Sequence, residues 1–265
     1  MRKGQTSEFL FQASALIVSI IVVHAAYVLV VRPKADEILA EQRAMMQADP
    51  DYVQERSVWV IIRDFEQEAC FVLMLWAMAI MAYKGVATAR ERNLLELDLV
   101  PLEEGTRILP EDSREYARQV EALPAEERAA LLPRAVLSSL HRFAATANIQ
   151  AVSATAREVC DAEAERLESE LSMVRYIAWA IPSIGFIGTV RGIGEALGQA
   201  HKAVEGDIAG VTQSLGTAFN STFIALLISI VLMFLLHQLQ LQQERLVLDT
   251  QTYLDRQLID HLRVP

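Results

Sequence analysis

The chain has 265 residues, 24 lysines and arginines against 34 aspartates and glutamates, a hydrophobic fraction of 52% and a mean hydropathy of +0.24. That hydropathy is high for a water-soluble domain, and a net charge of −10 with no basic stripe argues against a nucleic-acid partner. The apolar residues gather into four runs, 13–31, 69–86, 176–197 and 216–236, each close to the ~20 residues a helix needs to cross a ~30 Å hydrocarbon core. The expected fold class is an all-α membrane protein with four transmembrane helices.

Residues 1–31 hold the first span. Arg2 and Lys3, an apolar run and the small-residue site Val23-His24-Ala25 resemble a secretory signal. The run continues through Tyr27-Val28-Leu29-Val30-Val31, longer than a signal's usual apolar stretch, so a retained span is expected. Residues 32–68 form an acidic connection carrying Asp36, Glu37, Glu41, Asp49, Asp51 and Glu55. It breaks at Asp49-Pro50-Asp51 and ends in an amphipathic approach with Val53, Val60, Ile61 and Phe65. The second span, 69–86, is interrupted only by Lys84 near its end, where a lysine can snorkel.

Residues 87–175 form the larger hydrophilic segment. The stretch LLELDLVPLEEGTRILPED reads as extended or looped, with Leu95, Leu97 and Leu99 alternating before proline and glycine breaks. Helical patterns follow over 112–122 and 125–146, the second interrupted by Pro133. From Ile149 no breaker occurs before Pro182, and Ile149, Val152, Ala156, Val159, Leu167, Leu171 and Val174 make an apolar face that Glu163 interrupts. This helix is expected to run straight into the third span. The fourth span continues into the C-terminal segment 237–265, where Leu239, Leu246 and Tyr253 recur every seven residues with Leu241 and Leu248 alongside. From 216 to 262 that is a helix of roughly 70 Å. The two long helices leave one membrane face and are expected to pack as an antiparallel stalk.

An even number of spans puts both termini on the side of 87–175. Basic residues beside the spans divide almost evenly, Arg2, Lys3, Lys84, Arg90, Arg92, Arg175 and Arg245 against Arg32, Lys34, Arg56, Arg63, Arg191 and Lys202. The positive-inside rule therefore leans only slightly towards a cytoplasmic 87–175 and a periplasmic 32–68.

Spans three and four are unusually rich in small residues. Gly185, Gly188, Thr189, Gly192 and Ala196 follow three- and four-residue spacing in the third, and Ser214, Thr217, Ala218, Ser221, Ala225 and Ser229 form a stripe in the fourth. Association between lipid-bathed helices depends on close backbone approach and interhelical hydrogen bonds, which small residues allow. The first two spans carry bulkier side chains, so the third and fourth are expected inside an assembly and the others towards lipid. Thr189 lies about eight residues before the far end of its span and Thr217 some five to seven residues into its helix, which places both hydroxyls roughly 8–12 Å below the same surface. Hydroxyls both donate and accept, as an ion-handling constriction requires; equally, the stripes are explained by packing alone.

The run GFIGTVRGI, Gly185 to Ile193, which follows Pro182, resembles the third-helix signature of the MotA/TolQ/ExbB proton-channel proteins, and VTQSLGTAFNS, Val211 to Ser221, resembles their last-helix segment. The resemblance is specific over 176–236 and architectural elsewhere. It implies a homopentameric ring in the bacterial inner membrane, with long cytoplasmic helical extensions. The third and fourth helices would surround a MotB/TolR/ExbD-like single-span partner whose aspartate carries the proton. Thr189 and Thr217 would face that aspartate, with Asn220 and Ser221 at the same level. Pro182, Gly185, Gly188, Gly192, Ser214 and Ala218 would form the packing and partner-facing surface. The function implied is that of an ion-conducting subunit converting proton-motive force into movement. This chain departs from the family at Arg191, where a tryptophan is frequent, at Phe219-Asn220-Ser221, and in its four spans with a long first connection. An independent feature fits a missing partner: no aspartate or glutamate occurs within 13–31, 69–83, 176–190 or 216–236, although intramembrane carboxylates are the usual proton relays.

Other residues have plainer readings beside the functional ones. Arg191 either faces a vestibule or pairs with Glu195 four residues on. Asn220 either joins the threonine level or bonds between subunits. His24 reads as an inter-helix contact rather than a relay, and His237 as incidental. The glycine-rich GTVRGIGEALG follows no strand and lacks a Gly-Lys-Ser/Thr ending, so it is no nucleotide loop. Cys70 and Cys160 fall near opposite membrane faces and read as unpaired thiols. No metal-ligand spacing and no nucleophile–base arrangement is present, so no cofactor, metal or enzymatic activity is expected. The rival to a conducting subunit is a structural or signalling scaffold with 32–68 as an external receptor segment.

Overall fold

The computed structural model describes residues 2–48, 52, 56–97, 99–100, 106–204 and 208–264. The expected break at Asp49-Pro50-Asp51, the approach residue Val53, the acidic Glu55, and residues 98 and 101–105 of the expected loop lie outside them. Among the described residues the chain is all-helical, with no strand. Four helical stretches are long and apolar enough to cross a membrane: Thr6–Met46, Phe65–Leu94, Ile149–Gly198 and Ala209–His261. The chain divides into two compact units, Met1–Met81 with Met173–Leu236, and Ala82–Ser172 with His237–Pro265.

In the first unit, α1 (Arg2–Ala26) passes through a π-helical turn, Tyr27–Val31, into α2 (Arg32–Ala48), so the hydrophilic connection begins as helix. The N–H of Arg32 donates to the carbonyl of Tyr27, five residues back, directly before Pro33. Proline has no N–H to continue the ladder, and the wider turn sits where the ladder must give. The short α3 (Val58–Ile61) leads into α4 (Phe65–Leu94). Val23, Tyr27 and Val31 pack with Trp59, Ile62, Phe71, Val72 and Leu75. Polar ties accompany that contact: Trp76 Nε1 donates to the Gln12 carbonyl at 2.9 Å, and His24 Nδ1 lies 2.7 Å from Glu68 Oε1. Arg32 donates to the other oxygen of Glu68. His24 is thus an inter-helix contact. Cys70, fully buried, points its thiol at the Ile181 carbonyl of α9 (Ser172–Gly198), 3.7 Å away. A short α10 (Ala200–Val204) precedes α11 (Ala209–Tyr253).

In the second unit, α5 (Ser113–Glu121), α6 (Ala125–Arg128), α7 (Leu131–Thr146) and α8 (Ile149–Glu170) share one core with the end of α11. Ile108, Leu131, Leu132, Leu140, Phe143 and Leu254 are among its fully buried members. Pro133 does not interrupt a helix; it stands in the first turn of α7, where N–H groups lack intrahelical partners anyway. The Asn148 side chain caps α8 by accepting from the Ala151 N–H at 3.1 Å. One turn at Leu171, not proline, separates α8 from α9.

The expected two-helix stalk is instead part of a bundle. Leu239 and Leu246 are buried as the seven-residue repeat requires, whereas Leu248 is exposed. Beyond α11, the N–H of Ile108 donates to the His261 carbonyl and the N–H of Arg263 to the Ile108 carbonyl, both at 3.0 Å.

The charges that disturbed the apolar pattern find partners here. Glu163, 2% exposed, accepts from Arg134 at 2.6 Å and from Arg166. Lys84 does not snorkel: it is buried, and its Nζ donates to Glu170 Oε2 at 2.6 Å. Cys160 is a free thiol, buried in the same unit.

Candidate ion-handling site

The seam between α9 and α11 is built on the absence of side chains. A Cβ added at Gly185 would lie 2.5 Å from the Ala225 Cβ, one at Gly188 would lie 2.6 Å from the Ser221 Cβ, and one at Gly192 would lie 2.7 Å from the Ala218 Cβ. Real Cβ contacts do not close to such distances, so each glycine is a point of backbone contact between antiparallel helices. Ser214, Ala218, Ser221 and Ala225 are the buried side of α11 that they meet. The opposite faces are apolar and exposed, with Phe186, Ile187 and Val190 on α9 and Phe219, Phe223 and Ile230 on α11.

Pro182 lies within α9 and cannot donate to the carbonyl of Ala178, four residues back. Ser229 of α11 supplies the missing donor: its Oγ bonds the Ala178 carbonyl at 3.3 Å. Such repair by a neighbouring hydroxyl is how a membrane helix tolerates an internal proline.

Thr189 stands between the glycine contacts. Its hydroxyl lies 3.3 Å from the Gly185 carbonyl, 3.1 Å from the Ala218 carbonyl and in hydrogen-bond contact with the Thr222 hydroxyl. Thr222 Oγ1 in turn lies 3.0 Å from the Gly185 carbonyl. The hydroxyl pair across the seam is therefore Thr189 with Thr222. Thr222 was legible in principle, since it continues the Ala218, Ala225 and Ser229 spacing of four, three and four residues. Ser221 turns its hydroxyl back on its own helix, to the carbonyls of Thr217 at 3.2 Å and Ala218 at 2.9 Å. Asn220 is half-buried, and its side chain is not among the partners of Thr189.

Thr217 lies elsewhere. It lines a polar pocket of about 220 Å³ with Arg63, Asp64, Arg191, Glu195 and Gln213. Ser214 lines the same pocket and accepts from Gln199 Nε2 at 3.2 Å. Arg191 makes the expected pair with Glu195, Nη1 to Oε1 at 2.8 Å. It also makes one that sequence could not show: Nε and Nη2 donate to the two oxygens of Glu66 at 2.7 and 2.9 Å. Burial pushes the Asp64 carboxyl above the usual aspartate range, outweighing the nearby guanidinium groups of Arg63 and Arg191. Among the described residues no group of three or more histidine, cysteine, aspartate or glutamate side chains could hold a metal ion.

The sequence pattern of the MotA/TolQ/ExbB proton channel family matches residues 127–252. The match takes in α7 and α8 as well as α9 and α11, a longer stretch than the motif-bearing spans, and leaves out the first two spans. Neither a curated protein nor a solved structure matches the chain. The glycine seam, the proline repair and the paired threonines all lie inside residues 127–252, the part of the chain that carries the pattern of the MotA/TolQ/ExbB proton channel family.

Proposed function

We propose that this chain is the ion-conducting subunit, carrying protons, of an inner-membrane motor complex that turns proton-motive force into movement of a partner. The family match over residues 127–252 and the four apolar helices support the general statement, a proton-channel-type, multi-pass protein of the bacterial inner membrane. The observation that carries the finer reading is the Thr189–Thr222 hydroxyl pair at the α9–α11 seam, in two helices with no carboxylate over 176–190 or 216–236. Such a site offers donors and acceptors but no group that changes charge, so the acid must come from another chain. We assign that role to a MotB/TolR/ExbD-like single-span partner with a transmembrane aspartate, held within a homopentamer. Thr189, Thr217, Asn220 and Ser221 are its ion-pathway residues with Thr222 added, both termini are cytoplasmic, and 87–175 with 237–265 forms the cytoplasmic part. Pro182, Gly185, Gly188, Gly192, Ser214 and Ala218 set the seam that holds the hydroxyls in place.

One observation favours the scaffold alternative: the hydroxyls of Ser221 and Ser229 are already bonded to backbone carbonyls within the chain, as pure packing groups would be. Purification in mild detergent with subunit counting, then proton uptake by proteoliposomes holding the co-purified complex, separates the two. The conducting reading expects five copies and a single-span partner. It also expects Thr189→Val and Thr222→Val each to reduce uptake by at least roughly tenfold with the complex still assembled, in keeping with the loss of a positioned hydrogen-bonding group. Undiminished uptake in both variants, or assembly without any partner, refutes it.

A further inference from the structure

The pocket beside the seam has charged and polar walls. Its sides come from Arg63 and Asp64 before α4, Arg191 and Glu195 on α9, and Gln213 and Thr217 on α11. At about 220 Å³ it has room for several waters, and its side chains offer donors and acceptors on every side. Two arginines and two carboxylates in its wall leave the cavity without net charge, whereas a cation path needs a negative one.

Glu66 tips that balance. Both its oxygens are taken by Nε and Nη2 of Arg191, while Nη1 of the same guanidinium is taken by Glu195. A guanidinium with three of its five N–H groups held by carboxylates has its charge largely answered within the wall. With Arg191 so engaged, the carboxylates Asp64, Glu66 and Glu195 outnumber the guanidinium groups of Arg63 and Arg191, and Arg63 is further drawn to Asp36 at 3.4 Å. A cavity this narrow is well inside the ~8 Å screening length of physiological salt, so the excess negative charge acts across its whole width.

The clamp depends on the seam. A Cβ at position 188 would lie 3.1 Å from Glu66 Cγ as well as against Ser221, so the bare backbone at Gly188 gives the Glu66 stem its passage across α9. Glu66 itself lies outside the family-matched stretch. The charge that Glu66 brings to this pocket thus comes from a part of the chain outside residues 127–252.

We infer that this pocket is a water-filled cation vestibule opening towards the Thr217 side of the seam, and that Glu66 is the positioning residue that sets its charge by holding Arg191. Its purpose rests on the conducting function proposed above; its existence does not. The test uses the full chain in lipid nanodiscs, where both faces are open and Cys70 and Cys160 are fully buried. Gln213→Cys is reacted with a cationic and an anionic methanethiosulfonate, each rate divided by that of the same reagent with a free small thiol. The ratio of the two cancels the thiolate fraction.

A cation vestibule gives a normalised ratio of roughly tenfold in favour of the cationic reagent, which collapses towards one in high salt. Adding Glu66→Gln leaves two carboxylates against two guanidinium groups and brings the preference to about one, and adding Arg191→Gln to that variant restores it. The salt series needs no second substitution and stands even where Glu66→Gln fails to fold. A thiol unreactive to both reagents, a preference for the anionic one, or a preference indifferent to Glu66→Gln overturns the inference. A cationic preference in a complex that takes up no protons would instead overturn the conducting reading and leave the vestibule standing.

Discussion

Replacing Gly192 by alanine tests the seam more directly than any change at the hydroxyls. The added methyl would meet the Ala218 Cβ at 2.7 Å, the Ser214 carbonyl oxygen at 2.8 Å and the Ala218 Cα at 2.9 Å. Carbon contacts settle at about 3.5–4.0 Å, so α11 would have to retreat by about 1 Å. Two of those atoms belong to the backbone, and no side-chain rotation relieves them. Overpacking of this kind costs about 1–3 kcal/mol. Gly194, two residues on, has nothing within 4 Å of its own added Cβ. There alanine should stabilise the helix by about 0.5–1 kcal/mol, because glycine is the more costly residue in a helix interior. The pair therefore predicts opposite signs from identical chemistry. Thermal unfolding of the purified chain in mild detergent reads the difference, at about 2–4 °C per kcal/mol for a chain of this size class. Equal midpoints for Gly192→Ala and Gly194→Ala would show that α9 and α11 do not touch at Gly192, and the site built on that contact would fall with it.

Ser229→Ala should cost about 0.6 kcal/mol, and at most about 1.7, by leaving the Ala178 carbonyl without a donor. In a Pro182→Ala background the returned N–H takes over, so a double-mutant cycle that shows no coupling removes the repair. Glu163→Ala should destabilise by about 1–2 kcal/mol, below the value for fully buried pairs because Arg134 and Arg166 are 41% and 51% exposed and can turn to water. Chemical denaturation followed by circular dichroism measures it, and a neutral result would mean that the ion pairs hold nothing. Asp64 carries a pH signature: with its folded value raised, the ionised carboxylate costs stability at neutral pH, and that cost disappears as pH falls through the raised value. Asp64→Asn should thus raise the melting midpoint at pH 7 and have no effect once the wild-type carboxyl is protonated; an unchanged midpoint at pH 7 argues that Arg63 and Arg191 already balance the burial.

The spans were legible because twenty apolar residues in a row admit few alternatives, and the α9–α11 contact because Gly185, Gly188, Gly192 and the α11 stripe share one helical spacing. Thr189 was found for the same reason, but its partner was assigned from depth alone. Depth fixes a level and not a face, and Thr217 looks into the pocket while Thr222 looks across the seam. Pro133 misled because a proline marks a helix start as readily as an interruption. Glu66 lay beyond reach of any periodicity: its meaning depends on Gly188 and Arg191, more than a hundred residues on, and only the packing of α4 on α9 brings them together. Lys84 and Glu163 looked like flaws in apolar stripes until their counter-ions appeared on neighbouring helices.

The hydroxyl that mends the proline gap also fixes how α9 and α11 can move. Slipping one helix along the other by a single residue would pull Ser229 away from Ala178 and push side chains into all three glycine notches at once. Longitudinal sliding of the hairpin is therefore penalised at four points at once. Any stroke it makes must be a tilt or turn of the two helices as one plate.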